Sequence, residues 1–286
     1  MGLRVEPPVM TLPVFASGTV LSMVGLNFNR SWGGIPADYM PMALQGVFSA
    51  SPYTMQKVSY PASTNKNSIS TGVVNFNRAV RSVPGLKIGF GHSQGAQVMT
   101  HWMNQYKDDP TAPGPSELMF VLIGNPLRST GGFIIGRPEV GGTTGVPTPT
   151  DTPWTIVDCA RRYDGWPDWV TDESIDIAKQ NANSGKTKLH THYENVNLFD
   201  PAHTVWSVGN TTYVLTQETP PYFKTLRGDI TDELAADLQA QIESAYNNRP
   251  VTDVPVDPAA VTAINPAVTP AVGWWALLRK FLGIGD

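Results

Sequence analysis

A single cysteine, Cys159, is present, so the chain has no internal disulfide and no cysteine-rich metal site. Its expected place is inside a buried strand. Charged residues are also scarce, at 15% against ~25% in average soluble proteins. With 41% hydrophobic residues, that balance excludes a disordered chain. There is no basic excess: the formal net charge is -4, which supplies no footprint for nucleic acid, and no nucleic-acid partner is expected. No run of ~18 consecutive apolar residues occurs, and Met1 to Met10 lacks the basic segment and apolar core of a signal peptide. Neither a membrane span nor a secretory leader is expected. What remains is 286 residues, suited to one large α/β domain with a tail.

Strand and helix signals alternate along the chain. Thr11-Leu-Pro-Val-Phe-Ala-Ser-Gly-Thr19 reads as a strand entering a small-residue turn, and Met55 to Tyr60 as another strand. Ile69, Val73, Phe76 and Val80 recur at steps of three and four, which predicts a helix over Ser68 to Val83 ended by Pro84-Gly85. Leu86 to Phe90 is a compact strand, and Gln94 to Tyr106 has helix character. Leu118 to Ile123 and Trp154 to Cys159 are nearly continuous apolar runs, as expected of strands covered on both faces of a mainly parallel sheet. That alternation predicts an α/β fold. Gly131 to Pro153 reads as a long loop carrying Phe133-Ile-Ile135, either a lid over an apolar site or a loop packed on the sheet edge.

The last third divides differently. Ile230, Leu234, Leu238, Ile242 and Tyr246 predict an amphipathic helix over Asp229 to Asn247. The domain is expected to occupy residues 1–248. Residues 249–272 have the composition of a Pro/Ala-rich linker. Residues 273–286 form a short amphipathic segment with Trp274, Leu277, Leu278, Phe281 and Leu282, which folds back on the domain or docks on a protein or membrane surface.

The most informative stretch is Gly91-His-Ser-Gln-Gly95, between a strand and a helix. This is the G-x-S-x-G nucleophile elbow of α/β-hydrolases, in which Gly91 and Gly95 leave room for a strained turn with Ser93 at its apex. The backbone N–H of Gln94, at the helix N-terminus, is placed to donate to an oxyanion. Because Ser17-Gly18-Thr19 is taken to follow the first strand, Thr19 or Gly18 is the expected second donor, by analogy with the fold. A serine hydroxyl needs a base and an acid to orient it, in chain order Ser, acid, His. His92 and His101 do not fit that order, which leaves His190, His192 and His203. Asp158, Asp164 and Asp168 follow a strand, the last two where it opens into a loop. No metal and no organic cofactor is expected.

Several segments in order resemble the PE-PPE domain of mycobacteria. These are Gly89-Phe-Gly-His-Ser-Gln-Gly95, Leu122-Ile-Gly-Asn-Pro126 with Gly131-Gly132, Asp151-Thr-Pro153, Tyr163-Asp-Gly-Trp-Pro-Asp168, His190-Thr-His-Tyr193 and Gly209-Asn-Thr-Thr-Tyr213. The resemblance covers Thr11 to Arg227 and implies a cutinase-related serine α/β-hydrolase, a single domain with helices on both faces of its sheet, acting on acyl esters. It also implies the acid and the base. The catalytic aspartate falls after the Asp-Gly pair, at Asp168 with Asp164 as the alternative. The His-x-x-Tyr pattern selects His190, with His192 as the alternative. A looser similarity, through Gly-x-Ser-Gln-Gly-Ala, Gly124-Asn-Pro-Leu-Arg128 and the acid loop, is to the lysin B esterases of mycobacteriophages, which release mycolic acids from arabinogalactan. The helical leader usual before a PE-PPE domain does not precede Thr11, and the tail has no counterpart in the resemblance, so a phage-encoded or envelope-acting enzyme is one expectation. The expected substrate is a small acyl ester or lipid. The rival from another class is a hydrolase fold without turnover, serving as a binding module or virion structural protein.

Overall fold

In a computed structural model of the chain, residues 15–26, 39–226 and 231–250 are described. Seven strands, β1 (Gly18–Met23), β2 (Tyr53–Lys57), β3 (Lys87–His92), β4 (Leu118–Ile123), β5 (Thr155–Ala160), β6 (Thr204–Val208) and β7 (Thr211–Leu215), make one sheet ordered β2-β1-β3-β4-β5-β7-β6. Every neighbouring pair is parallel except the β6–β7 hairpin at one edge. The helices are α1 (Tyr39–Met42), α2 (Ser68–Ser82), α3 (Gln94–Tyr106), α4 (Asp176–Lys188) and α5 (Asp232–Glu243).

Alternation along the strands decides what each face holds. Leu21, Met23, Phe120, Leu122 and Ile156 point to a core built with α2 and α3, where Phe76, Trp102 and Trp154 are fully buried. Val20, Ile88, Phe90, Val121, Val157 and Cys159 point to the other face, covered by α1, the turn after it and the segment Tyr193 to Leu198. A third cluster lies beyond the sheet, where α4 and α5 meet the loop after β5 through Tyr163, Ala182, Ile242 and Tyr246. The architecture is that of an α/β-hydrolase, a mainly parallel sheet with helices on both faces.

Most of the expected elements are present, and the departures have physical reasons. Thr11 to Val14, the apolar start of the expected first strand, lie outside the described residues, Ser17 is exposed, and Gly18 to Met23 form a strand that pairs with β2 and β3. Gly18 and Thr19 therefore begin that strand and do not follow it. The helix expected over Asp229 to Asn247 runs from Asp232 to Glu243, with the Thr231 hydroxyl accepting from the Leu234 N–H. Of its apolar stripe, Ile242 and Tyr246 are buried and Leu234 is exposed, because only its last turns reach α4 and the loop after β5. Arg249, expected to open the linker, is tied into the domain by two carboxylates. Residues 251–286, with the rest of the expected linker and the terminal segment, lie outside the described residues.

One buried ion pair joins β5 to the edge hairpin. Arg128 Nη1 donates to the Asp158 carbonyl at 3.0 Å, to Asp158 Oδ1 at 3.3 Å and to the Val214 carbonyl at 3.2 Å. Its guanidinium lies over Trp206 and Tyr213, and Asn125 Nδ2 donates to Asp158 Oδ2 at 2.8 Å. Burial raises the Asp158 carboxyl above its ordinary range, opposed chiefly by Arg128. Gly124-Asn-Pro-Leu-Arg128 thus has a structural task. Arg128→Met should destabilise the fold by about 3–5 kcal/mol, since it leaves a carboxylate buried without its cation. Urea unfolding measures this, and adding Asp158→Asn should recover part of the loss.

Candidate active site

Every parallel strand ends on the same edge of the sheet, and at that edge the chain makes its sharpest turn. Ser93 joins β3 to α3 with φ 52° and ψ -117°, a conformation that costs an L-residue on the order of 1–3 kcal/mol. Its neighbours allow it. A Cβ on Gly91 would stand 2.9 Å from the backbone of Ala96, and one on Gly95 would run into the Met23 carbonyl. The strain is held by the Ser93 N–H on the Ile123 carbonyl at 3.1 Å and by the Gln97 N–H on the Ser93 carbonyl at 3.0 Å.

The loop after β5 and the segment after α4 bring two more groups to this turn. His190 Nε2 is 2.8 Å from Ser93 Oγ, and His190 Nδ1 is 2.8 Å from Asp164 Oδ2. A carboxylate only accepts, so Nδ1 carries the proton and Nε2 offers its lone pair to the hydroxyl. Asp164 is fully buried and its remaining valence is met: Tyr193 Oη donates to Oδ2 at 2.9 Å and the Trp166 N–H to Oδ1 at 3.2 Å. The Tyr193 hydroxyl in turn accepts from the Arg161 N–H at 3.0 Å, and its own N–H donates to Tyr39 Oη at 2.8 Å. Burial, then the charge of Asp164, raises the Tyr193 phenol far above its usual range, so it stays a donor.

His92, inside the elbow, has a different task. Its Nε2 donates to the His190 carbonyl at 3.0 Å, and burial, helped by His190, holds its pKa far below the ordinary value. It is a neutral ring that fixes the backbone of its neighbour.

The other sequence candidates fall elsewhere. Asp168 does not face the histidine: its Oδ2 accepts from the Tyr163 N–H at 2.7 Å and from Arg249 Nη2 at 2.6 Å. The expectation that Asp168 would serve His190 is corrected to Asp164, because both oxygens of Asp168 are engaged by an arginine 81 residues away. Thr19 and Gly18 are corrected as well. The Thr19 N–H is bonded to the Leu86 carbonyl at 2.9 Å, and Thr19 pairs with Lys87, six residues and so roughly 20 Å along the strand from Ser93. His192 is half exposed and pairs with Glu194 at 3.0 Å. His203 bonds the Asn197 carbonyl at 2.7 Å. Gln94 is the first residue of α3, where its N–H has no intrahelical carbonyl. Its side chain also donates to the Ser63 and Val140 carbonyls and accepts from Ser68.

The Gly131 to Pro153 loop is anchored on this edge by buried polar contacts. Glu139 accepts from Gln97 Nε2 at 2.8 Å and meets His101 at 2.6 Å, and the Phe133 N–H donates to the Trp166 carbonyl at 2.8 Å. Among the described residues no cluster of His, Cys, Asp and Glu is placed to hold a metal ion.

Comparison with known proteins adds the lineage. The family model described as the PE-PPE domain matches residues 43–247, which include the elbow, the acid loop and the His-x-x-Tyr segment. The chain belongs to the PE-PPE domain family. It is 30% identical over 262 residues to Esterase PE16 of Mycobacterium tuberculosis (strain ATCC 25618 / H37Rv), a match covering 84% of this chain and 49% of that protein. It is 26% identical over 274 residues to SL1278 acyltransferase Chp1 of the same strain, covering 82% of this chain and 65% of Chp1. The chain thus spans about half of PE16 and under two thirds of Chp1. Among solved structures, lysin B from Mycobacteriophage D29 is similar at 17% identity and a TM-score of 0.32, over 85% of this chain and 96% of that one. Asp164, which meets His190, and Tyr193, which meets Asp164, both lie within the matched residues.

These contacts predict a split between the two aspartates. Asp164→Asn should cut kcat for a chromogenic ester by about 10⁴-fold, because an amide favours the wrong imidazole tautomer. Asp168→Asn should act mainly on stability. Tyr193→Phe removes one charge-assisted bond, of about 1.5–3 kcal/mol, and should lower kcat roughly tenfold or more.

Proposed function

We propose that this chain is a serine esterase that cleaves acyl esters through an acyl-enzyme on Ser93. The observation that carries the reading is the unbroken line from Ser93 Oγ through His190 to Asp164 on a strained elbow. His190 Nε2 takes the hydroxyl proton as Oγ attacks the ester carbonyl, and Asp164 stabilises the imidazolium. The Gln94 N–H is the first oxyanion donor. The second comes from the segment Val24 to Leu26, which leaves the carboxyl end of β1 on the same edge as Ser93. His190 then returns its proton to the leaving alkoxide, and water, activated by the same ring, releases the acid.

An apolar acyl ester or lipid suits the surroundings. The Trp166 ring lies 6.0 Å from that of His190, and Phe133 packs edge-on against Trp166 and Trp169. PE16 is named an esterase and Chp1 an acyltransferase, activities that share an acyl-enzyme and differ in whether water or an alcohol accepts the acyl group.

Ser93→Ala should abolish hydrolysis of 4-nitrophenyl butanoate, by about 10⁴-fold or more, and prevent labelling by a fluorophosphonate, while the circular dichroism spectrum is kept. A folded Ser93→Ala variant with full turnover would remove the serine-hydrolase reading. A wild-type chain that neither turns over esters nor takes the label would leave a fold retained for binding. Added short-chain alcohols that divert the acyl group from acid to ester would assign the transferase branch.

A further inference from the structure

One cation beside the site makes no ion pair among the described residues. Lys186, near the end of α4, lays its Nζ 3.1 Å from the ring centre of Phe133, 4.1 Å from Trp169 and 4.9 Å from Trp166. Its stem passes along Gly165 of the acid loop, where a Cβ would stand 3.1 Å from Lys186 Cγ. No hydrogen bond or ion pair to Lys186 occurs among the described residues.

The carboxylates around it are committed elsewhere. Asp164 is bonded to His190, Tyr193 and Trp166. Glu173 pairs with Arg137 at 2.9 Å and accepts from Trp169 Nε1 at 2.8 Å. Arg137 itself lies on Phe133, 4.1 Å from its ring centre. The aromatic faces attract an ammonium through their quadrupoles, but they accept none of its three hydrogen bonds and neutralise no charge. Burial, then Arg137, lowers the Lys186 ammonium to about 8 against the opposing charges of Asp164 and Glu173, so these carboxylates compensate it only in part.

Position decides what such a charge can read. His190 returns its proton to the leaving oxygen, so the alcohol part of a bound ester lies on the His190 side of the scissile bond. Trp166 abuts His190, and Lys186 abuts Trp166. We propose that Lys186 is a specificity-determining residue that recognises an anionic group on the alcohol portion of the ester, with Phe133, Trp166 and Trp169 holding the ammonium in place until the anion arrives. The inference rests on the esterase reading and narrows it to esters whose leaving group carries a negative charge.

Two esters of one acid and similar size test it: the butanoate of 4-hydroxybenzoate, anionic, and the butanoate of 4-hydroxybenzamide, neutral. The readout is the ratio of their kcat/KM values, compared between wild type, Lys186→Met and Lys186→Arg, so that the different basicities of the leaving groups cancel. The ratio should favour the anion in the wild type, fall about tenfold in Lys186→Met and return in Lys186→Arg, and the preference should shrink as salt is added. A ratio unchanged in Lys186→Met, or an equal loss on both esters, overturns the inference while leaving the esterase reading intact. A wild-type chain that cleaves neither ester overturns both.

Discussion

A carboxylate fully removed from water, Asp164, is the constraint around which the carboxyl edge of the sheet is arranged. An isolated buried carboxylate costs several kcal/mol even after relaxation, so the fold must bring donors to it. Three arrive from separate places: the His190 imidazole after α4, the Tyr193 hydroxyl, and the Trp166 N–H two residues along the same loop. Each donor is itself fixed, Tyr193 by Arg161 and Tyr39, and His190 by His92 and Ser93. The imidazole is therefore oriented before any substrate is present. Such preorganisation is what makes a hydrogen-bonded line useful for proton transfer.

The same edge stores strain, and bracing surrounds it. Ser93 and Tyr163 both have positive φ, at 52° and 68°, a region a bulky residue visits only when its surroundings over-determine it. Ser93 is braced by two backbone bonds. Tyr163, immediately before Asp164, is braced by Asp168, which accepts its N–H, and by Glu243, which accepts its hydroxyl at 2.5 Å. Arg249 bridges those two carboxylates. A pair of aspartates four residues apart thus divides the labour: one faces the imidazole, and the other holds the turn that aims it. Through Arg249 the end of the described chain supports the acid loop.

How much of this was legible in the sequence depended on whether the signal was local. The elbow was, because strand, small residues and helix are contiguous, and α3 and β4 fall on the residues that their patterns mark. The helix α4 was not, since it buries Ala178, Asn181, Ala182 and Gly185, small or polar residues that leave no apolar stripe to read. β1 is hidden by the serine within Val20-Leu-Ser-Met23, while Leu12 to Val14, whose apolar density reads as a strand, lie outside the described residues. The choice between Asp164 and Asp168 turned on Arg249, far along the chain in a stretch whose composition reads as linker. One local signal was available: a tyrosine three residues after the histidine, buried beside it, needs a partner for its hydroxyl, and a carboxylate already facing that histidine is the nearest acceptor.

The loop from Gly131 to Pro153 is coupled to the helix that follows Ser93. Gln94, the residue after Ser93, donates through its side chain to the Val140 carbonyl in that loop. Three residues on, Gln97 reaches Glu139, which also meets His101 and Thr143. The first two turns of α3 therefore grip the loop through buried polar bonds, while Phe133 at the other end of the loop packs on Trp166 beside His190. A loop so anchored is fixed to α3. Movement that opened it would have to break the Gln97–Glu139 and Gln94–Val140 bonds, leaving buried groups unpaired at ~1–3 kcal/mol each, and would disturb the residue that follows Ser93.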